Sequence, residues 1–371
     1  MPGRVLRFPS RPALSDEHRA AARRLFETPF AERHAKTSLR MDDPETLLSF
    51  CALLGEQLYT SPSRARDEAE FLYRHLQKPE RKIGLFDELD YFLGELALIA
   101  GTACRQISRR EEGRVWFDRA ELAFRNTANA AADLSRLAYQ RLALRLEERH
   151  LDVVLELAPS VARGLEELGM PEESLKCRFL EGIALAESGR LEEAVALFES
   201  VGRAAEELRS DRLLSLAYGN LTHYNGMLGN SDEAILWSRK AIPLLKKLED
   251  RVGLAKIRWG LANLLRETGR IPAAIEAYRA AQREFADLQM RADVAALHLV
   301  MADLLLESGE ERDATREIVA ALPVIDELQM VPEGTAALSL LRESVRQQRI
   351  NRQALRDLHG YFDEVKRASS S

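Results

Sequence analysis

Four glycines, Gly189, Gly229, Gly269 and Gly309, stand 40 residues apart, each between two amphipathic stretches. Five residues after each comes an alanine, Ala194, Ala234, Ala274 and Ala314, and the same step reaches back to Val154 and forward to Ala354. A second column, Leu168, Leu208, Leu248, Leu288 and Leu328, keeps the same interval. Two columns in one register define an internal repeat. Units that pack only on their neighbours can be added without enlarging a single core, so the length of 371 residues does not by itself imply several ordinary domains.

Within one unit, Leu191, Ala194, Val195, Phe198 and Val201 fall on one stripe of an α-helix, with Glu192, Glu193 and Glu199 on the other face. The preceding segment, 175–187, carries a similar stripe through Leu180, Ile183, Ala184 and Leu185. Ser188-Gly189-Arg190 then reads as a helix stop, because glycine takes the left-handed conformation cheaply. Each unit is therefore predicted to be a helix, a tight turn and a second helix. The alanine column needs small partners where the two helices cross closely, and Gly182, Thr222, Ala262 and Ala302 supply them.

The register continues towards the N-terminus with larger steps. Ala69 before Tyr73, and Gly113 before Phe117, repeat the small-then-aromatic pattern, so positions 69, 113, 154, 194, 234, 274, 314 and 354 predict eight helical hairpins. Residues 16–33 read as one further helix, and residues 1–14 as a flexible arm, because Pro2, Pro9 and Pro12 oppose helix formation. The chain divides into an arm and helix over 1–43, degenerate repeats over 44–130, well-matched repeats over 131–330 and a capping hairpin with tail over 331–371, in which Leu340, Leu341, Val345, Leu355, Leu358 and Phe362 form the buried face. Pro44, Pro171, Pro272 and Pro332 suit first-turn positions, whereas Pro243 and Pro323 lie inside second helices and are expected to kink them. The fold class is all-α, a right-handed α-solenoid.

Composition narrows function mainly by exclusion. With 53 Lys+Arg against 59 Asp+Glu, the formal charge of −6 gives no basic footprint for nucleic acid, although residues 342–371 carry seven Lys/Arg against four Asp/Glu. No apolar run approaches the roughly 18 residues of a membrane span, and no secretory h-region opens the chain, which points to the cytoplasm. Cys51, Cys104 and Cys177 are too few and too dispersed for a disulfide framework or a thiolate metal cage, and read as small buried apolar residues. The seven histidines never fall at the i, i+4 spacing of a metal-binding helix, and no phosphate-binding loop, nucleophile elbow or H-E-x-x-H is present. The expectation is a protein that is not an enzyme and takes no cofactor and no metal.

Gly182-x6-Gly189-Arg-Leu-Glu-Glu-Ala194-x3-Phe198 and Ala262-x6-Gly269-Arg-x3-Ala274-x3-Tyr278 resemble the tetratricopeptide repeat, lengthened here from the usual ~34 residues. The likeness is good over 131–330 and degenerate outside; Glu181 and Asn225 replace usually apolar positions, and the terminal proline of each repeat is missing. The resemblance implies that the first helices line a concave face where family members hold extended peptides through Asn side chains, whose amides both donate and accept. Counting back from each Gly, the implied groove positions include Lys176, Phe179, Asn220, His223, Lys256, Trp259, Asn263, Arg266 and Asp303, with Asn225 close by. Lys256, Trp259, Asn263 and Arg266 share one helix face, offering two cations, an amide and an aromatic wall suited to an acidic or carboxylate-ended peptide. The function expected is a protein–protein interaction scaffold holding a peptide or helix of a partner protein, without membrane or direct nucleic-acid contact. The alternative is the peptide-sensing module of a bacterial regulatory or signalling system that acts on a separate effector.

Overall fold

A computed structural model describes residues 15–33, 43–58, 60–78 and 88–327, together with positions 353 and 357. The expected arm, the eighth hairpin with its capping face, Pro332, Ala354 and Leu328 lie outside these residues. Among the described residues there are sixteen α-helices and no strand. They are α1 (Asp16–Glu27), α2 (Phe30–Arg33), α3 (Pro44–Gln57), α4 (Pro62–Leu76), α5 (Leu89–Gln106), α6 (Arg110–Phe124), α7 (Ala130–Glu147), α8 (Leu151–Glu167), α9 (Pro171–Glu187), α10 (Leu191–Glu207), α11 (Asp211–Met227), α12 (Ser231–Lys247), α13 (Arg251–Glu267), α14 (Ile271–Asp287), α15 (Arg291–Glu307) and α16 (Glu311–Glu327). Of the pairs that the small columns predict, α3/α4, α5/α6, α7/α8, α11/α12, α13/α14 and α15/α16 pack against each other. The chain forms two compact units, Met1–Leu197 and Phe198–Ser371.

The backbone repeats at half the period seen in the sequence. Positive φ recurs at Arg149, Gly169, Gly189, Arg209, Gly229, Glu249, Gly269, Gln289 and Gly309, one residue in every connector between successive helices from α7 onwards. Each connector is closed by the same two hydrogen bonds. At the α13–α14 turn, Arg270 N donates to Leu265 O at 2.8 Å and Gly269 N to Arg266 O at 3.0 Å. At the α14–α15 turn, Met290 N donates to Phe285 O at 2.9 Å and Gln289 N to Ala286 O at 3.0 Å. These are Schellman caps, which satisfy the last carbonyls of one helix. The residue that ends the cap also starts the next helix, as when Arg270 O accepts from Ala274 N at 3.0 Å. The Leu168, Leu208, Leu248 and Leu288 column occupies the C-cap of each second helix.

In the first unit, one core gathers side chains from α1 and α3 to α7, including Leu25, Phe50, Leu72, Phe92, Phe117 and Leu137. The close approach predicted for the small column is tight between α5 and α6. A Cβ on Gly101 would meet the Phe117 ring at 2.5 Å and the Gly113 carbonyl at 3.3 Å, and one on Gly94 would strike Phe124. In the second unit the two columns share cores: Ala262 with Ala274, and Ala302 with Ala314.

One reading changes. The single helix expected over 16–33 is two, because Pro29 holds Thr28 in extended backbone at φ −79°, ψ 128°. The break lets α2 fold back, and the buried Arg33 guanidinium meets Glu68 of α4 through Nη1 at 2.5 Å and Nη2 at 2.9 Å while its Nε donates to Thr28 O at 2.7 Å. Pro243 and Pro323 do not end their helices, which continue to Lys247 and Glu327, and α8 similarly contains Pro159. Each proline lies two to three turns from the helix start, so one missing amide bond is borne by the rest of a seventeen-residue helix. All three cysteines are buried and free, and burial pushes the Cys104 and Cys177 thiols up to about 12.

Two glycines nine residues apart should respond oppositely to the same substitution. Gly269→Ala forces alanine into φ 71° and should lower stability by about 1 kcal/mol, whereas Gly260→Ala, mid-helix in α13 with open space around its Cβ, should raise it by about 0.5–1 kcal/mol in denaturant melts. Gly101→Ala should lose about 1–3 kcal/mol by the same assay despite alanine's better helix propensity, because Phe117 and the α6 backbone leave no room.

Candidate functional site

The first helices of the hairpins in the second unit, α11, α13 and α15, carry most of the predicted site. On α11, Asn220 Nδ2 donates to Leu216 O of its own helix at 2.9 Å, which leaves the amide oxygen outward. One turn on, His223 is exposed at its rim and lies edge-on to Tyr224, with ring centroids 5.0 Å apart. Surrounding protein displaces water from the ring and lowers its pKa from 6.5, so the imidazole is neutral at pH 7. Asn225 is not a groove residue. It is buried, donates to Leu221 O at 2.9 Å and accepts from Asn230 Nδ2 at 3.3 Å, so its amide ties the end of α11 to the connector that follows.

On α13, Lys256 is exposed and enters no ion pair among the described residues. Trp259 is half-buried, edge-on to Phe285 of α14 with centroids 5.9 Å apart, and packs against the cores of both the α13/α14 and α15/α16 hairpins. Its indole thus joins neighbouring units as well as walling the face. Asn263 is exposed, and its Oδ1 accepts from the hydroxyl of Tyr278 on α14 at 2.6 Å. Arg266 Nη2 reaches across to α15, 2.9 Å from Asp303 Oδ2 and 3.4 Å from Glu307 Oε1. Partial burial opposes the guanidinium charge, but Asp303 and Glu307 outweigh it and raise the pKa.

The structure therefore pairs Arg266 with Asp303 and Asn263 with Tyr278, and leaves Lys256 outside both. The expected pair of available cations on α13 reduces to one, because Arg266 is held by carboxylates from the neighbouring hairpin. Lys176 and Phe179 lie on α9 of the first unit, where Lys176 sits 3.9 Å from Glu172 and 3.8 Å from Glu173 and Phe179 is half-buried. The residue that sequence reasoning missed is Tyr278. It is fully buried, and burial raises its pKa to about 12 while Arg266 works in the opposite direction. A signal was available: the aromatic column holds Phe at 198 and Tyr at 278, and only the second has a hydroxyl to place. Among the described residues, no group of three or more His, Cys, Asp or Glu is arranged to hold a metal, and no helix is long and apolar enough to cross a membrane.

No family model matches the chain, and no curated protein matches it. Solved structures do. The chain has the all-helical hairpin-repeat fold of the tetratricopeptide-like proteins. It is similar to aspartyl phosphate phosphatase F from Bacillus subtilis, with a TM-score of 0.56 at 12% identity over 100% of this chain and 97% of that one. It is also similar to the Rap conjugation gene regulator of plasmid pLS20 in complex with the Phr* peptide, with a TM-score of 0.52 at 14% identity over 95% and 97% of the two chains. A third match is the signal transduction ATPase of Pyrococcus horikoshii with a tetratricopeptide repeat sensor, with a TM-score of 0.56 at 14% identity over 85% of this chain and 55% of that one. Identities this low establish the fold alone.

The His223 environment fixes the sign of one titration. A folded pKa below 6.5 means the unfolded chain takes up the proton first, so this residue's contribution to stability is present above pH 6.5 and is lost as pH falls. An NMR titration of the imidazole should give a midpoint below 6.5 in the native protein, moving to about 6.5 in urea.

Proposed function

We propose that this chain is a non-catalytic, cytoplasmic interaction module that holds a peptide or helix of a partner protein against the first helices of its repeats. The observation that carries the reading is the α13 face, where an exposed lysine, a half-buried tryptophan and an exposed amide stand on one side of a helix whose other side is fully engaged in the core. Lys256 and Asn263 would make the contacts, Trp259 would provide an apolar wall, and Asn220 and His223 would extend the surface along α11. Arg266 and Asp303 serve this surface by fixing α13 to α15. Regulators with similar folds, one of them in complex with a peptide, support binding of peptides as the general mode.

The same likeness favours a second reading, a peptide-sensing module that passes its state to a separate effector. The two differ in what binding does to the chain. X-ray scattering should show compaction on peptide binding for a sensor and unchanged dimensions for a scaffold.

The test is capture from the native cell lysate with the tagged chain and with its Lys256→Ala/Asn263→Ala variant. The wild-type chain should retain one dominant protein or peptide that the variant loses by about tenfold or more, since two polar contacts removed at about 1 kcal/mol each exceed that factor. Equal retention by both, with matching thermal midpoints, would place the partner elsewhere.

A further inference from the structure

We infer that Tyr278 is a positioning residue: it holds the Asn263 amide oxygen so that the Nδ2 group is presented outward, and the partner this fits is an extended peptide offering a carbonyl at Asn263 and a carboxylate at Lys256. The inference rests on the groove proposed above and adds the ligand chemistry to it.

A phenol hydroxyl has one proton to donate and lone pairs to accept with. An amide oxygen can only accept, so the hydrogen bond between the Tyr278 and Asn263 side chains takes its proton from the phenol. Tyr278 thus donates to Asn263 Oδ1 at 2.6 Å. With the amide oxygen engaged, the Nδ2 group is directed away from the buried ring, and Asn263 makes no second hydrogen bond among the described residues. Tyr278 is fully buried in the α13/α14 core, so its ring cannot readily turn to release the amide.

An asparagine free to rotate can serve either half of a peptide unit with either end outward, whereas this one is held by its oxygen with the N–H groups outward. Lys256 is seven residues earlier on the same helix, about 10 Å along the axis, and is likewise a donor without an acceptor. An extended chain advances about 3.3 Å per residue, so an acidic group about three residues from the gripped carbonyl would reach both. Asn220 on α11 is the internal contrast. Its amide is set by its own helix through Leu216 O, so its outward group is the oxygen, and it does not depend on Tyr278.

The experiment selects binders from a random octapeptide library on the full-length chain and measures one selected peptide by fluorescence anisotropy against Tyr278→Phe, Asn263→Ala and the double variant. Selected peptides should be enriched in Asp or Glu. Tyr278→Phe, which keeps the ring and removes the hydroxyl, should weaken binding about tenfold in the wild-type background and less than twofold once Asn263 is alanine. An equal loss in both backgrounds would mean that Tyr278 acts through the fold and not through Asn263, and would overturn the inference. So would peptides without acidic residues, or unchanged affinity in Tyr278→Phe where Asn263→Ala still weakens binding; in that last case the groove survives and only the positioning role fails. A library that yields no binder would overturn both the inference and the groove.

Discussion

From α7 to α15, every helix ends in the same way, with one left-handed residue and two backbone hydrogen bonds that return the chain on itself. This turn is the constraint on which the rest depends. It fixes the seventeen-residue helices α8 to α16 and their three-residue connectors, so equivalent side chains fall at the same height on successive hairpins. Only with that register can a small residue on one helix face a small residue on its partner, and only then can side chains of alternate helices line a common face. Where the left-handed residue is Arg209, Glu249 or Gln289, the cap forms despite a cost of about 1 kcal/mol for a side chain in that conformation, because neighbouring packing and hydrogen bonds offset it.

The polar residues of the first-helix face are governed by what each can still offer after the fold has used part of it. Asn225 is used up on both sides, by Leu221 and by Asn230. Asn220 keeps its oxygen, and Asn263 keeps its nitrogen. Arg266 keeps its charge but is committed to α15. A residue count on this helix face overstates its capacity to bind, and the hydrogen-bond inventory corrects it.

The hairpins, their order and the roles of the small columns were legible in the sequence because they rest on periodicity, which a solenoid repeats openly. The twenty-residue backbone step was not, because Arg149, Arg209, Glu249 and Gln289 occupy left-handed positions without the glycine that would advertise them. Thr28-Pro29 was a readable break, yet the amphipathic pattern on both sides of it suggested continuity; the buried Arg33–Glu68 pair that rewards the break joins residues 35 apart in sequence and has no local signal. The site was legible as positions and illegible as chemistry. That Asn263 faces outward followed from helical spacing, but its engagement with Tyr278 crosses from one helix to the next, and the loss of Arg266 to Asp303 crosses from one hairpin to the next.

The central claim is that the first helices of the second unit hold the partner and the second helices do not. Hydrogen–deuterium exchange on the chain with and without its captured partner measures this directly. The account predicts new protection concentrated on α11, α13 and α15, strongest around Lys256–Asn263 on α13. Protection centred on α12, α14 and α16, with α13 unchanged, would contradict it.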